Sequence, residues 1–198
     1  MARLSSPSCI AFRGSRRIAS GPLAEVAAVV KGTHDGGVEE PILVFEAETG
    51  VPVELDLRGT AADVAARYRS AAVEAPKRGP GRPRLGVVPR EVTLLPRHWA
   101  WLSQQRGGAS ATLRRLVDEA RRTAEGGDRV RRSQDATYRF MTAMAGDLPG
   151  YEEALRALYV GEEASFSDHM NGWPPDVRDH CLTLSEVVFS SAPQDRRG

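Results

Sequence analysis

One stretch near the middle of the chain decides how the rest can fold. Residues 74–86, from Glu74 to Gly86, hold three prolines, three glycines and four basic side chains. Proline has no N–H to donate, glycine resists ordering, and the charges demand water, so this segment cannot enter a core. It separates two foldable parts. An α+β fold class is expected: a small N-terminal ββαββα unit, a basic linker, a short strand and a mainly helical C-terminal part. The boundaries read as a 1–73 α+β domain, a 74–90 linker, a 91–125 strand-helix-helix, a 129–190 helical region and a 191–198 disordered tail.

The N-terminal unit is read from its punctuation. Cys9-Ile10-Ala11-Phe12 and Ile18-Ala19 flank a Gly14-Ser15-Arg16-Arg17 turn and suggest a hairpin. Pro22 opens a helix with a Leu23, Val26, Ala27, Val30 stripe, expected to stop near Gly32. Ile42 to Phe45 and Val51 to Leu57 read as two strands around a Glu48-Thr49-Gly50 turn. Thr60 with Asp63 then signals the start of a further helix.

Beyond the linker, Glu91 to Leu95 is expected as a strand, and Pro96 opens a helix ended by Gly107-Gly108. Ser110 caps the next helix, which Gly126-Gly127 breaks. Tyr138, Met141 and Met144 recur at helical spacing, and shorter helices follow near 151–160, 163–171 and 175–188.

Charge is unevenly distributed. Residues 1–75 hold 8 Lys/Arg against 10 Asp/Glu, residues 76–132 hold 14 against 5, and residues 133–198 hold 5 against 11. A +9 block between acidic flanks creates a local field able to attract a polyanion, while the acidic C-terminal part offers an internal alternative partner.

Two motif resemblances lie in that block. Lys77-Arg78-Gly79-Pro80-Gly81-Arg82-Pro83-Arg84 resembles the AT-hook, in which proline keeps the chain extended and arginines enter the narrow minor groove. It departs from the motif at Pro80, where an arginine is usual, and a solvated linker has the same composition. The order of elements across Glu91 to Arg122 looks like a ribbon-helix-helix unit, an architecture that requires a homodimer. There, Ser110 and the backbone donors after it would clamp a phosphate. The nucleic-acid-binding candidates are therefore Lys77, Arg78, Arg82, Pro83, Arg84, Arg90, Arg97, Ser110, Arg114 and Arg115. The ribbon's outward residues would include Val92 and Leu94 rather than polar readers, which equally suits an internal structural role.

Other features read as structure. Trp99 and Trp101 fit core or interface packing more readily than a base-stacking platform. Asp176, Asp179 and His180 share an expected exposed helix face, beside Cys181. The chain has no Walker A loop, dinucleotide fingerprint, GxSxG or HExxH, so no enzyme, metal or cofactor is expected. Two cysteines, Cys9 and Cys181, suit a reducing compartment. The longest early apolar run, Cys9 to Phe12, is too short for a secretory core, and no run approaches a membrane span.

The segments Ala19 to Val26, Gly81 to Val88, Glu91 to Trp99 and Tyr138 to Met141 together resemble a bacterial family, the domain of unknown function 2239. That resemblance implies a bacterial cytoplasmic protein and supplies no mechanism. The expectation that follows is a cytoplasmic, dimeric DNA-binding protein, of regulator or nucleoid-associated type. The other is a protein-interaction or adaptor module whose N-terminal domain binds a protein partner and whose basic segment is neutralised internally.

Overall fold

The computed structural model describes residues 8–37, 39–70, 88 and 90–191. They form a three-stranded antiparallel sheet and seven helices, an α+β fold. Two compact units are present, Met1–Glu74 with Asp128–Gly198, and Ala75–Gly127. Among the described residues no helix is long and apolar enough to cross a membrane.

In the first unit, β1 (Ser8–Arg13) and β2 (Arg16–Pro22) make the expected hairpin, turning at Gly14-Ser15. The register shifts between Ala11 and Phe12, where β2 accommodates an extra residue as a bulge. β3 (Ile42–Glu46) pairs with the other edge of β1, giving the order β2-β1-β3. The central strand is apolar on both faces, so each face must be covered. Cys9 and Ala11 point to a cluster with Val26, Val30 and Val44, whereas Ile10 and Phe12 point to a larger one with Phe45, Phe140, Met141, Phe166 and Val177. The expected 1–73 and 129–190 domains thus contribute described residues to this one larger core.

Helix α1 (Leu23–Asp35) covers the first face, with Pro22 as its N-cap. It runs past Gly32, its expected stop. A glycine in a helix weakens it by about 1 kcal/mol without removing a hydrogen bond. The Lys31–Asp35 ion pair, 2.7 Å across one turn, ties the two sides of that position together. The expected fourth strand, Val51 to Leu57, is reduced to a single bridge between Phe45 and Pro52. Glu46 donates to the Val51 carbonyl and Val53 to the Val44 carbonyl, both at 2.8 Å; Pro52 sits between them in the non-hydrogen-bonded position, where its nitrogen faces away from β3, and the pairing extends no further. Helix α2 (Ala61–Ser70) begins as expected: the Thr60 N–H donates to Asp63 Oδ2 at 2.9 Å and the Asp63 N–H to Thr60 Oγ1 at 3.2 Å. The Thr60 hydroxyl and N–H hold the Asp63 carboxyl below its usual range.

The other core helices are α5 (Tyr151–Val160), α6 (Glu163–His169) and α7 (Pro175–Ser190), close to the expected bounds. α7 contains one clear correction. His180 is only 5% exposed, set with Val177, Cys181, Leu184 and Val188 on the buried stripe. Its ring lies 4.6 Å from that of Phe140 and 6.1 Å from that of Phe12. Counting from Val177 rather than Asp176 shows why: 177, 180, 181, 184 and 188 are one helical face. Asp176 instead stays outside and accepts the Arg17 backbone N–H at 2.8 Å.

His180 Nε2 has no hydrogen-bond partner among the described residues, and burial followed by the nearby Arg17 charge pushes its pKa down to about 4. The unfolded chain takes up this proton near the ordinary value of 6.5, whereas the folded chain resists it down to about 4. Stability is therefore complete above pH 6.5 and falls as the pH drops towards 4, by about 3 kcal/mol from this group. Urea unfolding at pH 7.5 and pH 4 in the wild type and His180→Leu isolates that share, because other groups titrate in both proteins. An equal acid loss in the two would remove His180 as its cause.

Candidate nucleic-acid interface

The second unit carries most of the expected site. Lys77, Arg78, Arg82, Pro83 and Arg84, the AT-hook-like segment, lie outside the described residues. Arg90 and the following residues are described, and Glu91 to Leu95 is not a strand. A strand exists only through its neighbour's hydrogen bonds, and no described segment of the chain is paired with this one.

Helix α3 (Pro96–Ser103) starts with Pro96 in its first turn, after Leu95 in an extended conformation. It ends four residues earlier than the expected Gly107-Gly108 stop. The chain then reverses through Gly107 and Gly108, with φ of +86° and +74°, values that side-chain-bearing residues rarely adopt. Helix α4 runs from Gly108 to Ala145 without interruption. Ser110 is thus its third residue, not its cap, and the Gly108 N–H at the helix start already donates to the Gln105 carbonyl at 3.0 Å. Gly126-Gly127, expected as a break, stays in the helix. Neither residue has a positive φ, and each has open space where a side chain would sit.

Arg90, Arg97, Arg114 and Arg115 are all exposed, as are Arg106, Arg121 and Arg122. Among the described residues none of them forms an ion pair with a carboxylate. Arg114 Nε donates to the Ser110 carbonyl at 3.2 Å and Arg122 Nε to the Asp118 carbonyl at 3.3 Å. These bonds lay the guanidinium stems along the helix and leave their terminal nitrogens for an anion.

The unit also shows unusual apolar exposure. Leu102 and Thr112 are buried, but Val92, Leu95, Trp99, Trp101 and Val117 are each between 44% and 55% exposed. A cavity of about 390 Å³ opens between α3 and α4, lined by Leu94, Trp101, Leu102, Leu113 and Leu116, with Arg97 and His98 at its edge. The tryptophans are surface residues in the single chain, not core.

Sequence reasoning missed a second basic feature, in the first unit. Arg129, Arg132 and Arg139 line a groove with the 47–49 turn and α7. Their spacing of three and seven places them on one helix face, a signal hidden by the expected break at Gly126-Gly127. Among the described residues no group of three or more His, Cys, Asp or Glu is placed to hold a metal ion.

No curated protein and no solved structure matches the chain. A family profile described as an uncharacterized protein conserved in bacteria, DUF2239, matches residues 8–185.

Proposed function

The chain belongs to this bacterial family, DUF2239, whose description names no activity, and we propose that it is a DNA-binding protein acting as a dimer through its basic central segment. The observation that carries the reading is the set of exposed arginines on α3 and the start of α4, unpaired among the described residues, next to solvent-exposed apolar side chains. Unpaired arginines suit phosphates, each of which releases condensed counterions from DNA when neutralised. Exposed Val92, Leu95, Trp99 and Trp101 suit a second copy of the chain. In such a dimer the Glu91 to Leu95 segments of two copies would pair with each other, which a lone chain cannot do. The start of α4 would offer the N–H groups of Ala109 and Ser110 to a phosphate, and Lys77, Arg82 and Arg84 would follow the minor groove.

Fluorescence anisotropy against A·T-rich and G·C-rich duplexes across a salt series tests this, with sedimentation reporting the oligomeric state. Binding at micromolar or tighter affinity that weakens steeply with salt is expected. Arg82→Ala with Arg84→Ala should lower the salt slope by about two and remove any A·T preference. An unchanged slope removes the linker from the site. No binding by the wild type at low salt rejects the DNA reading in favour of a protein-interaction module.

A further inference from the structure

We propose that the groove formed by the 47–49 turn, the later part of α4 and the middle of α7 binds a mononucleotide-like phosphate ester. All of these residues belong to the first unit, so the site is independent of the interface described above. Its volume of about 450 Å³ is that of a small-molecule pocket rather than a nucleic-acid track.

The lining supplies three kinds of recognition. Arg129, Arg132 and Arg139 bring three guanidinium groups to one side, and none forms an ion pair with a carboxylate among the described residues. Arg131, outside the lining, does pair, with Asp128 at 3.4 Å. Two of the groove arginines are already oriented. Arg139 Nη1 donates to the Thr49 carbonyl at 3.2 Å, and Arg132 Nε to the Asp128 carbonyl at 3.1 Å, leaving the Arg132 terminal nitrogens without an acceptor among the described residues. Fixed, planar donors of this kind match the oxygens of a phosphate, and several together match linked phosphates.

Glu48 and Asp135 share the same lining. They would repel a bare phosphate, but each can accept a hydrogen bond from a hydroxyl or amino group on the same ligand. Leu184 and Val187 add an apolar wall against which a flat ring can lie. Phosphates, hydroxyls and a ring in one molecule define the mononucleotide class.

Calorimetric titration of the full-length protein with adenosine diphosphate and, separately, inorganic pyrophosphate tests the assignment. Adenosine diphosphate is expected to bind more tightly than pyrophosphate. Arg132→Ala with Arg139→Ala should weaken it at least tenfold, and Arg131→Ala should leave it unchanged, with circular dichroism confirming that each variant is folded. Asp135→Asn should weaken adenosine diphosphate and leave pyrophosphate unaffected or tighter. No binding of adenosine diphosphate, or equal binding by the double variant, overturns the site. Pyrophosphate binding as tight as that of adenosine diphosphate overturns its assignment to nucleotides, and loss of duplex DNA binding alone in the double variant assigns the arginines to a nucleic-acid backbone instead.

Discussion

Gly50→Ala is expected to destabilise the first unit by about 2 to 5 kcal/mol and to lower its melting temperature by roughly 10 °C. Two independent costs act at this position. Its φ of +63° is strained for any residue with a Cβ, and a Cβ built there would lie 2.3 Å from the Ala136 carbonyl oxygen on α4. That atom belongs to the helix backbone, which cannot rotate aside as a flexible side chain would. The turn must therefore lift, and with it the Thr49 carbonyl that holds Arg139. Thermal melts followed by circular dichroism decide the matter: a shift under about 2 °C would mean that the turn is not seated against α4.

The second large effect concerns binding. Replacing Arg97, Arg114, Arg115 and Arg122 together by alanine should weaken binding to any duplex by about two to four orders of magnitude at low salt and reduce the salt slope by three to four. All four are exposed, so the folded state should survive, which a melting curve checks. The loss should be similar for A·T-rich and G·C-rich duplexes, because phosphate contacts carry no sequence information. Undiminished affinity in this variant would take α3 and α4 out of the interface and leave the linker alone.

Much of this architecture is legible in the sequence where local chemistry and burial agree. The Thr60 and Asp63 start signal, the Gly14-Ser15 turn and the bounds of α5 to α7 all follow from punctuation and apolar spacing. The differences share a physical cause: what a glycine or proline does depends on the residues around it as well as on its own backbone preference. Gly107-Gly108 does turn the chain, whereas Gly126-Gly127 does not, although the dipeptide is the same. The second pair sits between Ala124-Glu125 and Asp128-Arg129, inside a long run of good helix formers whose summed propensity outweighs two glycines. Pro52, by contrast, sits in the single bridge that its segment makes, at a position where its missing N–H is not needed.

The site is legible as charge and illegible as shape. The basic block can be counted, but which arginines stand unpaired, and that Trp99 and Trp101 face outward, depends on packing between α3 and α4. For His180, acidic neighbours in sequence suggest a polar face, while the register of α7 against Phe12 and Phe140 sets its true environment.

The two cysteines give the first unit a use that follows only from the alternation along β1. Cys9 belongs to the cluster on one face of the sheet and Cys181 to the cluster on the other, both fully buried, and burial raises both thiol pKa values. A thiolate must form and meet solvent before it can be alkylated, so each thiol reacts only when its own cluster opens. The protein thus contains one chemical clock in each half of its interior. Peptide mapping of a timed alkylation reads the two separately and tells whether the halves open together or one before the other.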